Sequence, residues 1–305
     1  MSPEKPAGGV DQSEFLALVG ELRPELHRYC ARLTGSVIDG EDVVQDSIAK
    51  ALTALNTLVA APALRAWLFR IAHNGALDLL RSRAVRASEP LEAAAETPDT
   101  EAADPLEILM RQEAVRTAIS RFLELPIMQR SVIILKDVLG HSLEDIAELL
   151  DITVNAVKGH LARGRTRLKQ INAQPSSQPA LRPPSDAVLH YVKLFNLRDW
   201  EGLRALLADD VKLNQSTHPV RVGAGDVGMF FSIYARSETV HLVPAWLEDR
   251  EVIAVFENGP APEPSHIMWL EWRDDRISFI HDYRYARYVA ADAELTLRPD
   301  IAKLS

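Results

Sequence analysis

The chain has 305 residues, too many for one ordinary domain and suited to two or three. Its apolar fraction of 47% and charged fraction of 25% are those of a globular protein, and no apolar run approaches the ~18 residues that span a bilayer, so the sequence predicts no membrane insertion. The net charge of −9 is segregated along the chain, so partners have to be read segment by segment. The first residues, MSPEKPAGGVDQ, lack the apolar core of a signal peptide, and Cys30 is the lone cysteine; both point to the cytoplasm.

Residues 12–86 read as helical. Ser13 is the expected N-cap of the first helix, with Phe15, Leu16, Leu18 and Val19 following at helical spacing, and Pro24 is expected to open a new turn. A second amphipathic helix is predicted over 39–55. It turns Val43, Val44, Ile48 and Leu52 inward and Glu41, Asp42, Gln45 and Asp46 outward. Asn56–Leu64 reads as a loop and Arg65–Arg83 as a third helix, with Trp67, Leu68, Ile71, Ala72, Leu79 and Leu80 as its apolar positions. Arg65, Arg70, Arg81, Arg83 and Arg86 face only Asp78 in charge balance, whereas 87–107 holds seven acids and no base and reads as a flexible linker.

Helices resume over 108–172. Ser142–Leu150 is a short acidic amphipathic helix, Asp151–Thr153 a tight turn, and the next helix carries Lys158, Arg163, Arg165, Arg167 and Lys169 without an acid. That is the layout of a helix-turn-helix, whose second helix enters the major groove of duplex DNA. Thr153 is the expected N-cap of that helix. Thr153, Asn155, Lys158 and His160 lie near its start, where base edges are read, while Arg163, Arg165 and Arg167 suit phosphate. A Pro-, Ser- and Gln-rich linker spans 173–185. Beyond it the pattern changes to helices and then period-two strands, over Val240–Leu247, Glu251–Glu257, His266–Arg273 and Arg276–Val289. Asp274–Asp275 is the hairpin turn, and 186–292 reads as an α+β domain.

Two groups of residues carry a family resemblance. The first is Glu41, Asp42, Val44 and Gln45, followed by Trp67, Leu68, Ile71, Ala72, Asn74, Asp78 and Arg81; the second is Leu125-Pro126, Gln129-Arg130, Val132, Leu135, Gly140, Ile146-Ala147, Val157-Lys158 and Arg163-Gly164-Arg165. In this order and separation they resemble regions 2 and 4 of bacterial sigma factors of the extracytoplasmic-function group, over about residues 12–172. The departures are Gly40 where Ala is usual, His73 where Arg is common, and Gly164 in an Arg-Ala-Arg-like run.

The resemblance implies a multidomain protein: two all-α domains, a region 2 bundle (12–86) and a region 4 helix-turn-helix (108–172), ahead of the α+β domain. It implies core RNA polymerase and promoter DNA as partners. Glu41, Asp42, Gln45 and Asp46 would bind the polymerase clamp; Arg65, Trp67, Asn74, Arg81 and Arg83 would handle the −10 element; Thr153, Asn155, Lys158, His160, Arg163, Arg165 and Arg167 would bind the −35 element. For Trp67 itself, a place in the bundle core is the better expectation. No catalytic site, cofactor or metal is implied.

Residues 186–292 resemble the SnoaL-like cone fold, which implies a pocket lined by Trp246, His266, Trp269, His281 and Tyr283, and a regulatory role that leaves an anti-sigma factor or a small ligand open as a partner. Strand alternation puts His281 and Asp282 on opposite faces, which disfavours an acid/base pair between them. Two other readings compete. One is a one-component regulator with a ligand-sensing tail, which leaves the Glu41–Arg83 words unexplained. The other is a cyclase-like enzyme fused to a DNA-binding region.

Overall fold

The computed structural model describes residues 12–55, 64–87, 114–115, 117–174, 182–257 and 263–297. The chain divides into two compact units, Met1–Ser176 and Ser177–Ser305. The expectations for 56–63, 88–107 and 175–181 lie outside the described residues.

In the first unit, α1 runs Gln12–Thr34. Phe15, Val19, Leu22, Leu26, Tyr29, Cys30 and Leu33 recur every three or four residues and are all buried, each worth about 1.5–3 kcal/mol if it matches a large apolar side chain. Ser13 lies inside this helix rather than capping it, and Pro24 sits in its interior. The helix tolerates Pro24 because the carbonyl that loses its donor belongs to Gly20, which is exposed and can be hydrated.

Helix α2, Val37–Ala54, starts earlier than the sequence suggested because Ser36 caps it, its Oγ accepting from Asp39 N at 3.1 Å. Val43 and Val44 are buried as expected, but Leu52 is exposed. Gly40 explains its own departure from Ala. A Cβ there would lie 2.5 Å from Ala31 N and 2.6 Å from Ala31 Cα, so glycine is what lets α2 cross α1 at backbone contact. Helix α3, Leu64–Ala87, completes this bundle through Leu68, Phe69, Ala72 and Ala76.

A 3-10 turn, Ile119–Glu124, leads to α4, Ile127–Ile133, which continues as one π turn over Ile134–Val138. Helix α5, Leu143–Leu150, opens on a capping box between Ser142 and Asp145. It closes on Asp151 in the left-handed conformation, φ 56°. Thr153 then caps α6, Val154–Ala173, accepting from Ala156 N at 3.1 Å. A Cβ on Gly164 would lie 2.9 Å from Ile133, so this glycine too marks a close helix crossing, α6 on α4.

The second unit is α+β. Helices α7 (Asp186–Asn196), α8 (Trp200–Ala205), α9 (Ala224–Gly228) and α10 (Phe231–Ala235) accompany a mixed sheet. The sheet is built from β1 (Leu207–Asn214), β2 (Arg221–Val222), β3 (His241–Leu247), β4 (Arg250–Phe256), β5 (His266–Arg273), β6 (Arg276–Asp282) and β7 (Thr296–Leu297), in the order β2-β1-β6-β5-β4-β3-β7. Only the β1–β6 pair is parallel among them.

Asp274–Asp275 is the hairpin turn, both residues at positive φ, and Glu248–Asp249 makes a second turn of the same kind. The last long strand is shorter than expected. It ends at Asp282, and the chain turns through Tyr283–Ala286 into α11, Tyr288–Ala291. Residues 224–235 form two short helices, α9 and α10, and not one continuous helix.

Candidate functional site

The acidic face of α2 is narrower than the sequence implied. Asp42 and Asp46 are exposed and Gln45 is half-buried. Glu41 is fully buried, a correction to its expected outward position. The cause is Arg23 of α1, whose Nη2 lies 2.5 Å from Glu41 Oε1. A carboxylate this deep is held by its guanidinium partner and offers nothing to a docking protein.

Helix α3 carries the residues read as −10 contacts. Asn74 and Arg81 are exposed, and Trp67 is half-buried against the core of the bundle. Three of the arginines have carboxylate neighbours: Arg65 with Glu25 at 2.5 Å, Arg81 with Asp78 at 3.1 Å, and Arg83 with Asp39 at 2.5 Å. His73, the departure from Arg, is buried and pairs with Tyr29, Nδ1 to Oη 2.7 Å.

On α6, Asn155 is exposed and Lys158 half-buried on its first turns, while Thr153 spends its hydroxyl on the cap. His160 is buried, so the expected base reader faces inward; it shares the stripe of Val157, Leu161, Gly164 and Leu168 that packs inside the module. Arg165 is a second correction. Its expected phosphate role conflicts with a buried ion pair to Asp137, 2.6 Å away, whose carboxylate is 1% exposed. Arg163 and Arg167 border a shallow groove of about 400 Å³ together with Gln129, Ala162, Thr166 and Gln170. Arg167 also donates from Nε to the Glu124 carbonyl at 3.1 Å.

The two helical modules touch. Arg130 of α4 donates to Leu33 O at 2.7 Å and to Leu123 O and Leu125 O at 2.9 Å, tying the end of α1 to the turn before α4. Burial brings its guanidinium down to about 10. Sequence reasoning registered Arg130 only as part of a motif.

The five residues read as lining a C-terminal pocket do not share one face. Trp269 and His281 are cross-strand partners, ring centroids 4.5 Å apart, with Arg250 over Trp269 at 5.1 Å. Burial lowers the His281 imidazole, against the pull of Glu271 at 3.1 Å. His266 belongs to the opposite face with Met268 and Leu270. Trp246 lies beside Arg182, donating Nε1 to its carbonyl at 3.0 Å, and Tyr283 is buried just past β6.

What His266 meets is Asp282. Its Nε2 is 3.3 Å from Asp282 Oδ1 and 3.0 Å from Tyr234 Oη, Gln215 Nε2 donates to Asp282 Oδ2 at 2.8 Å, and Ser265 Oγ lies 2.9 Å from His266 Nδ1. Burial, with Asp282 next, holds the Tyr234 phenol well above its ordinary value. A buried acid/base pair therefore exists, across strands rather than along one. A bulge hid it: counting outward from Asp274–Asp275 along a regular ladder puts Ile267 opposite Asp282, whereas the register shift between Glu271 and Trp272 puts Met268 there, on the face that His266 shares.

The sigma-70 region 2 family model matches residues 18–86 and the sigma-70 region 4 model matches residues 113–168. The ECF RNA polymerase sigma factor SigG of Mycobacterium tuberculosis (strain CDC 1551 / Oshkosh) is 30% identical over 300 residues, spanning 88% of this chain and 76% of SigG. This chain belongs to the ECF sigma factors. An ECF sigma factor binds core RNA polymerase and directs transcription initiation at promoter DNA, which rules out the free-standing regulator as the main reading.

Two solved structures are also similar to this sigma factor. RpoE in complex with the anti-sigma factor NepR from Bartonella quintana is 26% identical with TM-score 0.38, covering 54% of this chain and 98% of RpoE. A ketosteroid isomerase-like protein from Kribbella flavida DSM 17836 is 23% identical with TM-score 0.26, covering 32% of this chain and 73% of its own. No described helix is long and apolar enough to cross a membrane.

Proposed function

We propose that residues 12–86 hold polymerase and the melted −10 strand, and that residues 108–172 seat on the −35 duplex. The observation that carries this reading is the division of exposed charge. Asp42 and Asp46 stand out from α2, while α6 presents Arg167 and Lys169 fully and Lys158 and Arg163 in part, with no acid on the helix. Exposed carboxylates suit a basic protein surface, where complementary charge sets orientation and association rate. A run of bases suits phosphate, and Asn155 and Lys158 lie where base edges come within reach. For the −10 strand, exposed Asn74 and Arg81 and the α3 arginines remain the proposed contacts, with Trp67 supporting them from the core.

The C-terminal unit is read as a regulatory domain and not an enzyme, acting on the sigma modules, an anti-sigma factor or a small ligand. Its Tyr234–His266–Asp282 cluster supports a packed polar core, because each of these groups is hydrogen-bonded within it.

Pull-down with core RNA polymerase followed by run-off transcription tests the assignment. Asp42→Ala with Gln45→Ala is expected to weaken polymerase binding. Lys158→Ala is expected to weaken duplex binding and leave polymerase binding intact. Parallel loss in both assays for every variant overturns it. Deleting residues 174–305 is expected to change promoter output; unchanged affinity and output would remove the regulatory role.

A further inference from the structure

Glu25 of α1 sits where the two helical modules meet. Arg65 Nη2 donates to both its oxygens, at 2.6 and 2.5 Å, and His141 Nε2 lies 3.0 Å from Oε1. His141 precedes α5 and sets its ring edge against Phe69 of α3, centroids 5.3 Å apart, while the Arg65 guanidinium lies over the same ring. One turn further along α3, Arg70 donates to the Glu148 carbonyl of α5 at 3.0 Å. One carboxylate therefore joins a −10 arginine to the approach of the helix-turn-helix.

This arrangement cannot coexist with the function proposed above. The −10 and −35 elements are about 25 base pairs apart, roughly 85 Å of B-form duplex. A compact unit the length of Met1–Ser176 has a radius of gyration of about 16 Å and is about 40 Å across. The modules must part to reach both elements.

Arg65 has a further conflict: Glu25 fills the donor positions that a DNA phosphate would use, and carboxylate and phosphate are the two anions that guanidinium binds best. The cluster is also built to yield. The Arg65 side chain is 50% exposed and Glu25 22%, and ion pairs that wet contribute little to folding and are screened by salt.

We propose that Glu25 is an internal competitor for promoter DNA: it occupies Arg65 and, through His141, latches the region 4 module onto α1 and α3, so that strand capture by Arg65 and release of the module are one event. The proposal rests on the two-module reading of the preceding section.

The test uses the full chain. Spin labels at Ala49→Cys on α2 and Ala162→Cys on α6, both exposed, report the separation of the modules by pulsed electron resonance, with Cys30 buried and unreactive. A fluorescent random-sequence 30-mer of single-stranded DNA reports Arg65. Glu25→Gln keeps the side chain's size and removes its charge. It is expected to add a longer-distance population and to tighten the 30-mer about fivefold, the scale of one exposed ion pair. His141→Asn is expected to lengthen the distance without that gain, because Glu25 still holds Arg65. Adding Arg65→Ala to Glu25→Gln is expected to cancel the gain. Unchanged distance and affinity in Glu25→Gln, with an unchanged melting temperature, overturn the latch. Failure of the wild-type protein to bind core polymerase overturns the underlying reading instead, so the two failures are told apart.

Discussion

Arg165 grips Asp137 through two parallel contacts, Nε to Oδ2 at 2.9 Å and Nη2 to Oδ1 at 2.6 Å, and so fastens the DNA-reading helix α6 to the π turn after α4. An arginine in the middle of a basic helix is here a structural residue. Asp137→Ala leaves a guanidinium without its partner in a mostly buried setting and is expected to cost roughly 3 kcal/mol in urea unfolding. The salt dependence of duplex binding separates Arg165 from its neighbours. Arg167→Ala is expected to flatten the slope of log affinity against log salt by about 0.9, as for one phosphate contact, and Arg165→Lys to leave it unchanged.

The glycines of the first unit have opposite expected responses. Gly20 is exposed in α1 with nothing within 4 Å of a built Cβ, so Gly20→Ala is expected to stabilise by about 0.5–1 kcal/mol through helix propensity. Gly40→Ala gains the same propensity but drives its methyl into the backbone of Ala31, and a net loss of about 2 kcal/mol or more is expected. Thermal melting of the two variants compares them directly.

His73 makes stability depend on pH. Burial first, and Arg81 second, depress its imidazole from 6.5 to about 4. Between those values the unfolded chain takes up a proton that the folded chain refuses, so stability is full above pH 6.5 and falls by about 3 kcal/mol as the pH drops to about 4. Glu25 works in a lower window. Burial raises its carboxyl, but His141 and Arg65 outweigh that and hold it below 4.5; its contribution is present above that value and lost as the pH falls through the depressed one. Denaturant titrations at stepped pH are expected to show the upper slope vanish in His73→Gln.

Glu41 and Asp42 are adjacent in sequence and opposite in exposure. Glu41→Ala strips Arg23 of its buried counter-charge and is expected to lower the melting temperature strongly. Asp42→Lys reverses an exposed charge and is expected to leave melting within about 0.5 kcal/mol while cutting polymerase capture. Calorimetry beside a pull-down distinguishes the pair.

Much of the fold was legible because its signals are local. The stripe from Phe15 to Leu33, the Ser142 box and the Asp274–Asp275 turn announce helix, cap and hairpin from short windows. The helix-turn-helix was legible in the same way, its turn and caps falling where Asp151 and Thr153 stand. The errors came from pairings distant in sequence. Nothing near Glu41 reveals that Arg23 will bury it, nothing near Arg165 points to Asp137, and helical spacing alone cannot say that His160 is buried. In the second unit the turn chemistry was read correctly, but a bulge between Glu271 and Trp272 shifts the register beyond it by one residue, and no local signal announces that shift, which is why the His266–Asp282 pairing went unseen.

With His160 turned inward and the Thr153 hydroxyl engaged in its cap, the base contacts proposed for α6 shrink to little more than exposed Asn155 and half-buried Lys158. Each fully specified base pair divides the candidate sites by four, so two or three of them leave about 10⁴ to 10⁶ matches in a genome of roughly 10⁶–10⁷ base pairs. Address on the chromosome must then come from conjunction: a loosely worded upstream site counts only when a meltable strand lies at the right spacing downstream.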